Sequence, residues 1–548
     1  MKANINPLTK EVFQNDQKEK ITFKHVSPAT IKVRNKYPSD DTPISERRKD
    51  LAMEEDYPWE QKIPKEHELK ILLINPPAAI AYGNYKAAAK VGASPQMPLG
   101  LLYLATVLDQ AGHKVKVIDC DIDNIALKDI FKTIEQEQPD VVGLTATTPI
   151  FLSAKEVIKQ IKIKFPEIIT LMGGYHFTAL PIQSMQNSLT DYGIYGEGEA
   201  TITHLINYLG KIKSLNENPD YDFLKSIKGL LVRCKDKIIV NEKRPLLKNL
   251  DRLPYPKREY LRYKKYLWSV PGEGMVPVTS ITTQRGCPFQ CIFCGAQTMF
   301  PGLRLQSIPR IIGELKYVVN ELGIKHIQFQ DDTLTLNRRK VEEMLAAIEK
   351  EELKFTWEGY TRANTIDKEL LEKMQNSGLN RLSFGVETGN EKILKAIKKG
   401  VGLESYKKAY QLCHELGIET RCSLMFGHPF ETKETIKSTM KFANSLKCYQ
   451  AYINITTPYP GSELLELARK KYGGINLLTE DWTEYRRYGN SVMTMNDLTT
   501  DDLIKLQKWG YRKFYLRPHI IWYNVRRAGF KAAIVNGIAF FKSVILKE

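Results

Sequence analysis

The stretch VTSITTQRGCPFQCIFC, residues 278–294, decides how this chain is read. Its first part alternates β-branched and polar residues as a strand does, glycine then breaks the pattern, and three cysteines follow in a short loop. The whole 548-residue chain holds eight cysteines; the other five, Cys120, Cys234, Cys413, Cys422 and Cys448, show no paired spacing. A disulfide framework is therefore not expected. A structural zinc site draws on four ligands, commonly two CxxC pairs, whereas Cys287, Cys291 and Cys294 supply three in the spacing CxxxCxxC with no histidine nearby. That sets zinc, and a coincidence of buried thiols, behind an iron–sulfur cluster. Three thiolates on a [4Fe–4S] cubane leave one iron open to an outside ligand, a catalytic rather than an electron-carrying arrangement.

Working outward, the strand before the cysteines opens a series of βα units. It continues through IKHIQFQDDT (324–333), KFTWEGYTR (354–362), RLSFGVETG (381–389), ETRCSLMFGHP (419–429) and YINITTPYPG (452–461), with amphipathic helices such as RKVEEMLAAIEKEE between. Six such units make a (β/α)6 partial TIM barrel whose active site belongs at the strand C-termini, and the cysteine loop follows the first strand.

This combination resembles the radical S-adenosylmethionine (SAM) enzymes over residues 276 to about 465. The resemblance implies that the open iron chelates the amino and carboxylate groups of SAM, and that the reduced cluster cleaves SAM to a 5′-deoxyadenosyl radical. Phe293, just before the third cysteine, would then pack by the adenine. Where many members carry Gly-Gly-Glu, this chain reads QFQDDT, which makes Asp331 and Asp332 the candidates there. Arg362 and Glu387 stand at strand ends that commonly contact SAM; an ordinary ion pair across the barrel mouth is the alternative. GHPFET (427–432) is similar to the family's GxPGET but carries Phe430 where glycine is usual, so a changed loop is expected.

Ahead of the barrel, KILLIN (70–75), KVKVID (114–119), VVGLTATT (141–148), IITLMGG (168–174) and DYGIYGEGE (191–199) read as strands alternating with helices such as PLGLLYLATVLDQAG (98–112). This is a doubly wound, Rossmann-like α/β sheet with ligands expected off the strand carboxyl ends. Its first loop, NPPAAIAYGNYK, has no GxGxxG, which weakens a dinucleotide reading. INPP, PLGLLYLATVL, TATTP, GGYHFTALP and YGEGE, in that order, resemble instead the cobalamin-binding domain of one radical SAM branch, which includes anaerobic magnesium-protoporphyrin monomethyl ester cyclase and hopanoid methylases. The resemblance implies cobalamin contacts from Asn75, Pro76, Leu99, Gly100, Thr145, Thr147, Gly173, Gly174, Gly196, Glu197 and Gly198. The DxHxxG loop of other cobalamin domains is missing, so a base-off cofactor without a histidine ligand is implied. His176 lies in the wrong loop to substitute and reads as a surface or loop histidine.

The remaining segments are a polar extension (1–68), a connector hairpin and linker (211–275) and a basic, aromatic, helical C-terminal region (476–548), around a cobalamin domain at 69–210 and a barrel at 276–475. The formal net charge is +17, dispersed among acids as on a solvated surface. The hydrophobic runs fall short of a bilayer and the polar start lacks a signal-peptide core, so a cytoplasmic protein is expected. The tail LQKWGYRKFYLRPHIIWYNVRRAGFKAAIVNGIAFFKSVILKE interleaves basic and aromatic residues before an apolar run at 532–541. It suits an interfacial helix on the inner membrane face or a helix packed on the barrel; the apolar run argues against nucleic acid.

Together the cofactors implied are a [4Fe–4S] cluster, SAM and cobalamin. The reading is a cobalamin-dependent radical SAM methyltransferase acting on an unactivated carbon of a small hydrophobic, lipid- or tetrapyrrole-like substrate, with an external flavodoxin- or ferredoxin-type electron donor. An oxidative cyclase or rearrangement enzyme is the second reading, and a non-catalytic cobalamin or iron–sulfur sensor a third. Tyr360, Tyr459 and Trp357 are aromatics near the barrel mouth, and core packing explains them equally well.

Overall fold

A computed structural model of the protein describes residues 31–33, 52–78, 80, 96–270, 273–486 and 489–528. The apolar run 532–541 lies outside the described residues. Two sheets organise the chain. The first contains β1 (Ile31–Val33), β2 (Lys70–Asn75), β3 (Lys114–Asp119), β4 (Val141–Thr145), β5 (Ile169–Gly173), β6 (Tyr192–Ile194), β7 (Leu230–Cys234) and β8 (Lys237–Val240), in the spatial order β1-β8-β7-β6-β5-β4-β2-β3. Strands β2 to β6 are parallel, and their order reverses between β2 and β4. That reversal opens a crevice off the carboxyl ends, where Asn75 and Thr145 stand.

The hairpin expected as a connector instead extends this sheet: β7 pairs antiparallel with β6 and with β8, turning at Lys235, whose φ is +52°. The end of the expected extension is also part of the fold. Met53–Glu54 pairs with Leu246–Leu247, and Trp59 is fully buried with its indole N–H donated to the Arg252 carbonyl at 3.2 Å. One large aromatic in a polar segment carries no periodicity, so the sequence pattern did not reveal it. Helix α1 (Leu99–Ala111) starts after Pro98 and stops at Gly112, which takes the left-handed conformation at φ +108°.

The second sheet runs in sequence order: β9 (Leu267–Val270), β10 (Gly274–Ile281), β11 (His326–Phe329), β12 (Thr356–Thr361), β13 (Leu379–Glu387), β14 (Glu419–Phe426) and β15 (Gln450–Ile455). The six strands β10 to β15 are parallel, as the periodicity predicts, and β9 adds antiparallel to β10. The sheet does not close on itself, so β15 is an edge. Alternation sorts its two faces. Ile327, Phe329, Trp357, Leu382, Phe384, Cys422, Leu424, Ile453 and Ile455 are buried in the main hydrophobic cluster with the outer helices. Of the two readings open for Trp357, core packing holds: it belongs to this outer core and donates its N–H to the Ser377 carbonyl.

Three further helices matter for the site: the short α2 (Tyr175–Ala179), which follows β5, α3 (Glu199–Ser214), which follows β6, and α4 (Thr500–Tyr515). Helix α4 lies on β15: the Tyr515 hydroxyl accepts from Ala451 N–H at 3.0 Å and donates to its carbonyl at 2.9 Å. Tyr511 accepts from Ile453 N–H at 3.1 Å, and the Gln507 amide donates to the Ile453 carbonyl at 2.8 Å. Edge backbone groups that would otherwise recruit another strand are thus satisfied by side chains. Helix α5 (Pro518–Ala528) follows, with Ile521 and Trp522 exposed. Among the described residues no helix is long and apolar enough to cross a membrane.

Candidate active site between the two sheets

The cysteine loop is fixed from below by Asp331. Its carboxylate accepts Thr283 N–H at 2.8 Å, Gln284 N–H at 3.0 Å and the Thr283 hydroxyl at 3.0 Å, bracing the turn that carries the chain from β10 to Cys287. Burial pushes this carboxyl up to about 7 against the pull of those hydrogen bonds. Asp331, a candidate SAM contact by sequence, is thus committed to holding the loop. Asp332 is exposed beside the cysteines, near enough for its charge to disfavour the Cys287 and Cys294 thiolates.

Two glycines frame the loop. Gly286 has φ +89°, and a Cβ there would sit 2.0 Å from the Gly302 carbonyl oxygen. A Cβ on Gly295 would sit 1.6 Å from the hydroxyl of Tyr175, the first residue of α2, and that hydroxyl donates to the Pro460 carbonyl at 2.8 Å. The loop's middle is pinned by Ile292, whose N–H donates to the Ile397 carbonyl and whose carbonyl accepts from Leu464 N–H.

The neighbouring thiols lie close enough to disfavour ionisation of Cys287 and Cys294. Burial pushes Cys294 up to about 12 and also raises Cys287, against weaker opposing hydrogen bonds from Ala296 N–H and the Thr333 hydroxyl. Three thiols on one short loop suit a metal cluster by their chemistry, since coordination supplies the charge that makes them thiolates, although among the described residues no such side chains converge as a preformed metal-ion site. The Arg362 guanidinium lies 3.8 Å from Cys291 Sγ and 3.7 Å over the Phe289 ring, and it donates to the Lys399 carbonyl.

Glu387 stands at a bulge near the end of β13 with φ +65°, a backbone that costs a non-glycine residue energy. Its partner is not Arg362 but Lys399, at 2.9 Å with both side chains buried. Burial opposes the Lys399 charge, but Glu387 outweighs it and raises the ammonium. Lys399 Nζ is also 5.8 Å from the Phe293 ring, and His428 stands 5.8 Å from that ring on the other strand end. Lys399 lies outside every motif and is brought in only by the fold, whereas His428 lies within GHPFET but has no spacing signal of its own. Phe430 takes φ +65°, so the turn keeps a glycine-like backbone with a phenylalanine in place.

On the first sheet, the carboxyl edge holds the residues expected to cradle cobalamin. A Cβ on Gly100 or Gly196 would meet nothing within 4 Å, so both open onto free space, with Thr147 exposed between the strands. A flat ring or its tail can approach such backbone directly. Gly174, by contrast, is required by the protein itself, since a Cβ there would meet Thr145 Oγ1 at 2.8 Å; Gly173 lies close to the Ile194 carbonyl. Asn75 donates to Asp119 at 3.0 Å, Pro76 is buried, and Leu99 and Gly198 open and precede helices α1 and α3. His176 is not a surface residue. It is buried against Phe151 (ring centroids 4.1 Å apart), bonded to the Thr148 hydroxyl, and burial holds its imidazole near 3, hence neutral.

Glu197 departs most from the sequence expectation. Rather than facing a cofactor, its carboxylate receives Arg285 at 2.8 Å and Arg304 at 2.7 and 2.9 Å, and it accepts the Leu247 N–H. Glu199 takes the other arm of Arg285 at 2.5 Å. Arg285 immediately precedes Gly286 and Cys287, so the YGEGE loop of one sheet grips the root of the cluster loop of the other.

Two family models match the chain at these two sites: the radical SAM superfamily over residues 281–443 and the B12 binding domain over residues 85–206. An uncharacterized methyltransferase of Pyrococcus horikoshii is 34% identical over 455 residues, 83% of this chain and 94% of that protein. The chain belongs to the B12-binding radical SAM enzymes, within a methyltransferase family. Its cofactors are those of that family: a [4Fe–4S] cluster, SAM and cobalamin. The anaerobic magnesium-protoporphyrin IX monomethyl ester cyclase of Cereibacter sphaeroides is 26% identical, with 87% of this chain and 75% of that protein covered. The fold is that of the radical SAM methyltransferase TsrM from Kitasatospora setae, at a TM-score of 0.62 and 16% identity over 87% of this chain and 99% of that one.

Proposed function

We propose that this protein methylates an unactivated carbon. When bound, the reduced cluster and SAM supply hydrogen-atom abstraction and the cobalamin supplies the methyl group. Cys287, Cys291 and Cys294 would hold the cluster; Phe293, Asp332, Arg362 and the Glu387–Lys399 pair would surround SAM. Asn75, Thr147, Gly100 and Gly196 would border the cobalamin. One SAM leaves as methionine and 5′-deoxyadenosine, a second as S-adenosylhomocysteine, and an external flavodoxin- or ferredoxin-type donor supplies the electrons.

The observation that carries this reading is the contact of Gly295 with Tyr175. The residue after the third cysteine touches the residue after the Gly173-Gly174 edge, so both cofactors address one space, as a transfer between them requires. Anaerobic reconstitution with SAM bearing a deuterated methyl group tests it. A product carrying the intact label, with equimolar 5′-deoxyadenosine, is expected; an unlabelled product that has lost hydrogen would replace methylation with oxidative cyclisation.

A further inference from the structure

The inner face of the half-barrel is polar from floor to mouth. Strand register places Ser383, Arg421 and Gln450 at one level and Gly385, Ser423 and Tyr452 at the next. Met425 and Asn454 come above them. Tyr360, Ser423, Met425, Tyr452 and Asn454 are half-buried while their outward-facing neighbours are fully buried, so these five side chains line the inner face, the lumen of the half-barrel. Above it stand His428 and Thr456 beside Phe293, where SAM is placed.

The floor below is closed and charge-balanced. Glu358 accepts from Gln328 at 3.0 Å, from the Trp268 indole at 3.2 Å and from Arg381, and Arg381 is also paired with Glu419 at 2.8 Å. Arg421 lies 3.8 Å from Glu358 and between the rings of Trp268 and Tyr452. Each floor charge thus has an opposite or aromatic neighbour, although one Arg421 nitrogen has no hydrogen-bond partner among the described residues; the five side chains above it are uncharged. An ionic group set against these five side chains would find no counter-charge among them, and a hydrocarbon would desolvate the Ser423 hydroxyl and Asn454 amide without replacing their hydrogen bonds with water.

We infer that the substrate places an uncharged, hydrogen-bonding moiety, rich in hydroxyl or amide groups, in this lumen against Ser423 and Asn454, with Tyr360, Tyr452 and Met425 covering its carbon skeleton. This rests on the methyltransferase reading and departs from the hydrophobic substrate that the sequence suggests, because the tail that prompted it says nothing of the lumen.

The test uses holoenzyme, reductant and SAM with a deuterated methyl group, offered separately the aqueous and the organic-solvent fractions of a lysate of the source organism. Label is expected in a product of the aqueous fraction, and Ser423→Val and Asn454→Leu each raise its KM by about tenfold. The cluster and cobalamin absorption spectra of both variants should match the parent, which separates a binding defect from misfolding. Label confined to the organic fraction, or variants with unchanged KM, overturns the inference while leaving methylation intact. Label in neither fraction defeats the methyltransferase reading and the inference with it.

Discussion

Glu197 and Arg285 meet at 2.8 Å inside the protein, with side-chain exposures of 2% and 9%. The pair joins the carboxyl edge of the cobalamin-type sheet to the residue that launches the cluster loop. Burial alone would raise the Glu197 carboxyl, but Arg285 and Arg304 outweigh it and hold it below the ordinary carboxylate range. Glu197→Gln keeps the shape and removes the charge, leaving two buried guanidiniums underpaired. A loss of about 3–5 kcal/mol in stability is expected from chemical denaturation. Glu197→Gln with wild-type stability would show the pair to be dispensable.

The Gly295–Tyr175 contact makes a second prediction. Gly295→Ala drives a methyl group into the Tyr175 hydroxyl, and overpacking of this kind costs about 1–3 kcal/mol. Because the obstruction is one side chain, Tyr175→Ala in the same chain should recover most of the loss. Thermal unfolding of the two single variants and the double variant measures this as a coupling between the sheets. Additive effects would mean that the two residues do not meet.

Much of this was legible in the sequence, for a physical reason. CxxxCxxC is a local ligand set, and the strand and helix periods of β2 to β6 and β10 to β15 are local patterns, so spacing alone carries them. Partners separated by long stretches are not local. Glu197 sits in a glycine-rich loop where a ligand contact and an ion pair look alike. Arg285 is one basic residue among 80 Lys and Arg. Lys399 reaches Glu387 only once β13 has bulged, and Trp59 has no periodic neighbour to mark it as core. Even so, an acidic GEGE in one motif and an arginine abutting the other were a complementary pair open to notice.

The edge of the half-barrel gives a third prediction. Tyr515→Phe leaves both backbone groups of Ala451 without their side-chain partner, at a cost of about 1–3 kcal/mol for each buried group. Ending the chain before α4 uncovers β15 altogether, and an unpaired edge strand recruits others. Light scattering should therefore report aggregation of the truncated protein, while Tyr515→Phe remains monodisperse with a lower melting temperature. A truncated protein that stays monodisperse would mean that α4 does not protect the edge.

Glu431 provides a pH signature. Its carboxyl lies fully buried behind the GHPFET turn, one oxygen accepting from Gly427 N–H at 2.6 Å and His428 N–H at 3.0 Å, the other without a partner among the described residues. Burial pushes it up to about 8 from an ordinary 4.5, so the folded protein holds a proton there that the unfolded chain has released. Between these two values the native state binds more protons, so stability from this group is full below about 4.5 and is lost as pH rises through about 8. Glu431→Gln keeps an amide oxygen for the two backbone donors and removes the titration. Melting temperatures from pH 5 to 9 should thus fall more steeply for the parent than for Glu431→Gln, the two curves separating most at the alkaline end. Parallel curves would show that Glu431 is ionised in the folded protein across the range, and that the turn bearing His428 tolerates a buried charge.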